Sequence, residues 1–280
     1  MEKAIGVEFE NSCIITKFFV EGQNIIDPWG FETADSTAFF SLSDGGYGHR
    51  ILERKSNITE TTNKAELTVQ MHDGKWKLKI DEKLIGNKIL RQHTLTTLDD
   101  SWFMDFVSRF QFKKDFFEKV IINDIELLHR NTNMYYQYPV NQVKLIGKDF
   151  DVIVKVKEAV TTEKFKLYMY ARDSGDVWVI HARLFPYKWD KEIIKICRSW
   201  YNKAIPQKIA KHLLKVDAIR EFLWYRSERV QANFPLNAYG LIRLGKGSKL
   251  QILTETEVLI KNDKNNLFKT TLHKREHSKL

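Results

Sequence analysis
Cysteine and proline are scarce in this 280-residue chain, which has two of the first and five of the second. Cys13 and Cys197 lie far apart in apolar runs, where a small buried thiol is the ordinary state, so no disulfide framework is expected. With few prolines and 43% hydrophobic residues, the chain is neither a proline-rich linker nor a disordered tract, and it can bury its own core. No stretch approaches the ~18 apolar residues of a membrane span. The opening MEKAIGVEFENSC carries Glu2, Glu8 and Glu10 and lacks the apolar centre of a signal peptide. A soluble, cytoplasmic protein is expected. There is no CxxC, HExxH or EF-hand loop and no GxSxG elbow, so neither a metal nor a cofactor is expected. The glycine-rich Ser43–Gly48 is not a phosphate loop, because no lysine and Ser/Thr follow at the required spacing and no helical pattern succeeds it. It reads as a flexible loop, with a place at the lining of a cleft open to it.

One charge sign is in excess. The formal net charge is +9, which favours anionic partners: nucleic acid, anionic glycans or acidic lipid surfaces. Part of the excess lies in a basic C-terminal tail, 261–280, which reads as a solvated end.

Along the chain, most periodicity is that of strands. AIGVEFE and CIITKFFV flank Asn11-Ser12, and Asp27-Pro28-Trp29-Gly30 reads as a turn. Residues 65–72 and 75–80 flank Asp73-Gly74, the dipeptide of a type I′ hairpin, with Trp76, Leu78 and Ile80 alternating against lysines. Further strands are expected at 152–156, 165–170, 177–184, 241–244 and 250–260. Between them, 190–230 changes to helical spacing, with Pro206 opening a helix whose apolar stripe is Ile209, Leu213, Val216, Ile219 and Leu223. The expected architecture is mainly β: a large antiparallel β-sandwich with a helical insert near residues 190–230. A single domain is expected over 1–260.

The chain is organised around residues 88–140, read as three or four successive strands. Over residues 102–112, Trp102, Met104, Phe106, Phe110 and Phe112 share one face and Asp105, Val107, Arg109 and Gln111 the other. HRNTNMYYQYP then packs His129, Arg130, Asn131, Asn133, Tyr136 and Tyr138 into eleven residues. Arg91 and His93 share a face of the strand before, and His181 with Arg183 interrupt an otherwise apolar one. If these strands share a sheet, their polar faces converge on one side of it. Such a surface suits a sugar, since hydroxyls need paired polar partners and ring faces stack on aromatics. Each residue also has a structural reading: Asp105 and Arg109 as a same-face salt bridge, His93 as an ordinary strand residue, the tyrosines as core.

This strand series, with SWFMDFVSRF and HRNTNMYYQYP as its most telling pieces, resembles the galactose-mutarotase-like β-supersandwich over roughly residues 1–185 and 236–260. The resemblance implies a carbohydrate-active protein, because that fold occurs in aldose epimerases and in polysaccharide lyases and glycosidases. An aldose epimerase of this type is similar in using a histidine acid and a glutamate base. His93 or His181 fits the first; no glutamate can be assigned to the second from the sequence. The helical segment is a departure, a lid or packing element.

The expected function is that of an epimerase or lyase acting on an anionic sugar or polysaccharide. His129, Tyr136 and His181 are the expected acid-base groups, and Arg91, Arg109, Arg130 and Arg183 the anion-binding ones. His93, Trp102, Asp105, Asn131, Asn133 and Tyr138 complete the substrate surface. Two other readings stand: a non-catalytic glycan-binding or assembly protein using the same face, and a nucleic-acid-binding protein using the basic helix 206–230 and the tail.

Overall fold
The computed structural model describes residues 5–10, 13–35, 38–131, 135–162, 164–186 and 241–261, with isolated positions 209, 212, 215 and 216. Apart from those four positions, the expected helical insert and basic helix lie outside the described residues, as do Cys197, the Asn11-Ser12 turn and all of the tail but Lys261.

The described residues form twenty strands. The first eight are β1 (Ile5–Glu10), β2 (Ile14–Val20), β3 (Gln23–Asn24), β4 (Ile26–Ala34), β5 (Phe39–Ser41), β6 (Arg50–Ile58), β7 (Thr62–Met71) and β8 (Gly74–Ile85). Then come β9 (Lys88–Thr97), β10 (Ser101–Phe103), β11 (Asp105–Lys113), β12 (Phe117–Ile122), β13 (Ile125–Leu128) and β14 (Tyr135–Tyr138). The series closes with β15 (Gln142–Gly147), β16 (Phe150–Val160), β17 (Phe165–Ser174), β18 (Val177–Pro186), β19 (Ile242–Leu244) and β20 (Lys249–Ile260).

Two large antiparallel sheets face each other. The first runs β1-β2-β4-β11-β18-β17-β14, and the second β13-β12-β15-β16-β20-β9-β8-β7-β6. The mainly β sandwich expected from the alternation is what the chain forms. Its core lies between the sheets, where Phe31, Phe106, Phe110, Phe112 and Trp178 of the first meet Leu67, Trp76, Leu78, Leu95 and Val154 of the second. Trp29, Trp76 and Trp178 are essentially inaccessible, and burying one large apolar side chain contributes on the order of 1.5–3 kcal/mol.

Residues 88–140 make six strands rather than three or four, and they are split between the sheets. β9, β12 and β13 join the second sheet, while β11 and β14 join the first. Their polar faces therefore cannot all converge. The alternation across 102–112 is also broken, because β10 ends at Phe103 and β11 starts at Asp105. Phe103 points into the main core, whereas Trp102 and Met104 pack with Ala34, Phe39 and Leu241 in a small separate cluster.

Two turn expectations change. Asp27-Pro28-Trp29-Gly30 is a β-bulge inside β4: Arg109 faces Gly30 and Gln111 faces Asp27, so three steps on β4 oppose two on β11. Pro28 cannot donate to a ladder, and a bulge is one of the places a strand tolerates it. The indole of Trp29 donates to the Gln111 carbonyl at 2.9 Å, and the Gln111 amide donates to the Pro28 carbonyl at 2.9 Å, which locks the distortion. The β7–β8 hairpin forms, but Met71 pairs with Gly74, so its loop is His72-Asp73. Gly74 lies against Ser101, whose Oγ would stand 2.1 Å from an added Cβ; that close approach, rather than a turn, requires the glycine.

Candidate functional site
The outer face of the first sheet, turned away from the core, gathers the polar groups of β4, β11, β18, β17 and β14. Cross-strand register sets the rows. Gly30, Arg109, His181, Tyr170 and Gln137 form one, and Glu32, Val107, Arg183 and Tyr168 the next. Asp27, Gln111, Val179 and Arg172 form a third, on the other side of the first. Since every other side chain of a strand points the same way, these residues share one surface.

Glu32 reaches that surface because of the bulge. Strict alternation from Asp27 would turn Glu32 inward; the extra residue resets the phase, so Trp29 and Phe31 enter the core and Glu32 faces out. Its Oε1 accepts from Arg109 Nη1 at 2.5 Å and from the Ser41 hydroxyl at 3.3 Å. Its Oε2 lies 4.0 Å from His181 Nε2. Arg109 also contacts Asp44, which the glycine-rich loop supplies, and its Nη2 donates to the Gln111 side chain at 3.2 Å. Gly30 allows that approach: a Cβ there would stand 2.9 Å from the Ser43 backbone nitrogen.

His181 stacks on Tyr170, with ring centroids 4.5 Å apart and planes 18° from parallel. Its Nε2 is buried and has no hydrogen-bond partner, although the side chain as a whole keeps 15% exposure. Burial, then the charges of Arg109, Arg183 and Arg172, holds the imidazole well below its ordinary pKa, so it is neutral at physiological pH. Burial likewise pushes the Glu32 carboxyl up; Arg109 opposes this, and Asp44 adds to it. The site therefore pairs a carboxylate of raised basicity with a neutral imidazole.

Beside this pair, Arg183 donates to Asp105 from Nε at 2.9 Å, approaches it through Nη2 at 2.7 Å, and donates to Gln137 from Nη1 at 3.0 Å. The expected Asp105–Arg109 bridge does not form. Four residues of strand separate them by about 13 Å, whereas their cross-strand partners lie within reach.

The other expected site residues lie elsewhere. Arg91 and His93, on β9 of the second sheet, point into the core and are essentially inaccessible. The Arg91 Nε donates to Glu82 at 2.8 Å, and its two Nη groups donate to the carbonyls of Arg109 at 3.0 Å and Gly30 at 3.3 Å. It thus binds the underside of the bulge. His129, Tyr136 and Tyr138 lie on the opposite side of the first sheet from His181. Tyr136 and Tyr138 pack on the core, their register partners being Ala171 and Met169. His129 sits edge-on to Trp178, with Nε2 3.0 Å from Asp173. Arg130 and Tyr136 line a cavity of about 420 Å³ with Glu126, Asp173 and Trp178. Asn131 is exposed, and its side chain accepts from the Gly175 backbone at 3.1 Å. Asn133 lies outside the described residues. The expected acid-base trio of His129, Tyr136 and His181 is thus divided by the sheet.

Glu32, Gln137, Tyr168, Tyr170 and Arg172 are the members that sequence reasoning missed, whereas Gln111 lies on the polar face of its strand where the alternation put it. A signal existed for some: Tyr168, Tyr170 and Arg172 alternate with Met169 and Ala171 in YMYAR. Among the described residues, no group of three or more His, Cys, Asp or Glu side chains could hold a metal ion, and no helix is long and apolar enough to cross a membrane.

No family model matches the chain, and no curated protein matches it in sequence. Solved structures do. A protein of Escherichia coli K12 provisionally classed as an aldose 1-epimerase superposes with a TM-score of 0.52 at 7% identity, over 92% of this chain and 97% of that one. A galactose mutarotase related enzyme of Lactobacillus acidophilus does so with a TM-score of 0.50 at 9% identity, over 93% and 98%. The fold is galactose-mutarotase-like. At these identities the likeness concerns the backbone, and what a galactose-mutarotase-like sheet does here rests on the side chains that this chain places on it.

Proposed function
We propose that the outer face of the first sheet binds an aldose and interconverts its anomers, with Glu32 as the base and His181 as the acid. The carrying observation is the gap between them: Glu32 Oε2 and His181 Nε2 face each other at 4.0 Å, unbonded, and the nitrogen has no other partner. That spacing is too long for a direct hydrogen bond and leaves room for a substrate oxygen to engage both. Glu32 takes the proton of the anomeric hydroxyl while the neutral imidazole N–H acts as the acid by hydrogen bonding to the ring oxygen and stabilising its developing charge; the ring opens, and Glu32 passes the proton to that oxygen. Rotation about the first carbon–carbon bond and the reverse transfers give the other anomer. Arg109 holds the carboxylate in place through Oε1, which leaves Oε2 to react. Tyr170 fixes the imidazole plane. The division of roles matches the histidine acid and glutamate base that the fold resemblance implies, and Glu32 is the glutamate the sequence could not assign.

The test is polarimetry on freshly dissolved α-anomers of neutral and acidic aldoses: glucose, galactose, glucuronate and glucose 6-phosphate. The native protein is expected to speed equilibration of at least one, and Glu32→Gln and His181→Asn each to lower that rate about a hundredfold or more. Acceleration of none, or full rates in both variants, overturns the reading. Saccharide binding without turnover would point instead to a non-catalytic glycan-binding protein.

A further inference from the structure
The outer face carries three guanidiniums, and they are not equivalent. Arg109 is paired with Glu32 and Asp44, and Arg183 with Asp105. The Nε atoms of Arg109 and Arg172 are both buried and unsatisfied, but Arg109 is paired through its Nη groups, whereas Arg172 makes no ion pair or hydrogen bond with any described residue. A buried, unpaired N–H of this kind is uncommon in folded proteins and calls for a partner. Arg172 also lies close to the proposed chemistry. It pairs with Val179, two residues before His181, while its own second neighbour Tyr170 pairs with His181, which makes Arg172 the diagonal neighbour of the histidine. Diagonal neighbours stand about 7–8 Å apart at Cα, and a flexible guanidinium spans the remaining length of a single sugar ring.

We infer that Arg172 binds an acidic substituent of the substrate, a carboxylate or a phosphate ester, at the end of the sugar away from the anomeric centre. The inference rests on the site proposed above and narrows its substrate class to acidic aldoses. A guanidinium forks two parallel N–H donors onto either group, and a half-buried one does so with little competition from water. The other arginines that the sequence offers as anion binders do not fill this place. Arg91 is in the core, Arg109 and Arg183 already hold carboxylates, and Arg130 lines the cavity on the far side of the sheet.

Binding of glucose, glucuronate and glucose 6-phosphate is measured by calorimetric titration of the native full chain, Arg172→Gln and Arg172→Lys, with anomer exchange followed in parallel by NMR. At least one acidic sugar is expected to bind the native protein about tenfold or more tighter than glucose. That ratio should collapse in Arg172→Gln and survive in part in Arg172→Lys, which keeps the charge without the fork. Which acid gains tells carboxylate from phosphate. Equal binding of acidic and neutral sugars, or a ratio unchanged in Arg172→Gln, overturns the inference. If Arg172→Gln fails to fold, as circular dichroism would show, the decision rests on Arg172→Lys, and an undiminished ratio there counts against it. An Arg172-dependent preference without any exchange would leave the inference standing and sink the acid-base reading; exchange without a preference does the reverse.

Discussion

At the scale of the residue, Arg91 shows how one side chain can shape a candidate site without lying on its surface. Its guanidinium is buried between the sheets, paired with Glu82 and bonded to the two carbonyls that frame the bulge under Glu32. The Asn63 amide donates to the second Glu82 oxygen at 2.8 Å. Arg91 also lies over the rings of Phe110 at 4.7 Å and Trp29 at 5.5 Å. Removing one member of a buried ion pair leaves the other charge uncompensated. Arg91→Met is therefore expected to destabilise the protein by about 3–5 kcal/mol, read from urea unfolding. Arg91→Met with Glu82→Leu should recover much of that loss, because the stranded charge goes too. A single variant as stable as the native protein would show that the pair is not what holds this region. The sequence presents Arg91 and His93 as polar residues on a strand, which is correct. It could not say that this face of β9 looks inward, because a polar group in a core is recognisable only when its partner, here Glu82, is known.

At the scale of the element, β4 is decisive. Its Asp-Pro-Trp-Gly segment has the composition of a turn, and local chemistry alone supports that reading. In the sheet the same residues make a bulge, because β11 offers the Gln111 carbonyl and amide that absorb the irregularity. The consequence is a one-residue change of phase, and it is this that presents Glu32 to His181. Gly30 completes the arrangement by letting the Ser43-Asp44 loop close over Arg109. Gly30→Ala is expected to push that loop away and lower aldose exchange about tenfold, while the melting temperature falls only a few degrees. Unchanged exchange rates in Gly30→Ala would remove the loop from the site. Other elements were legible. The β17 and β18 strands and the alternation of His181 and Arg183 against Ile180 and Ala182 follow directly from the sequence. Between β12 and β13, Asn123 and Asp124, residue types that favour turns, take positive φ of 51° and 59°.

At the scale of the whole molecule, charge and protonation set how the fold responds to pH. The net charge of +9 says little about the outer face, where Arg109 and Arg183 are paired with Glu32, Asp44 and Asp105. Among the described residues the pairing is uneven, since Arg109 takes two carboxylates and Arg172 none. Stability follows from burial. His93 is held well below its ordinary pKa by burial and by the charge of Arg91, and His181 by burial and its arginines. In the unfolded chain both take up protons near pH 6.5, so below that pH the unfolded state binds more protons than the native one. Stability is therefore expected to rise with pH through the window below 6.5 and to fall on acidification, by up to about 1.4 kcal/mol per pH unit for each histidine. Glu32, whose carboxyl is pushed up, acts with the opposite sign above its unfolded value near 4.3. Comparing the native protein with His93→Asn isolates one contribution: the variant's urea midpoint should depend less steeply on pH between 5 and 6.5. An equal slope in both would mean that His93 is protonated in the fold.

The sequence by itself determined the β character, most strand positions and the presence of polar residues on strand faces, because alternation of side chains is a local property of extended chain. It also determined that His181, Arg183, Asp105 and Arg109 face the same way within their own strands. Which strands become neighbours was decided only by the tertiary structure. The pairing of β11 with β4 joins Arg109 to Glu32 across 77 residues of sequence, and the assignment of β9 to the opposite sheet takes Arg91 and His93 out of reach. No local pattern encodes such choices. They are settled by how two sheets jointly bury one core, and the face left outside that core is where the candidate site lies.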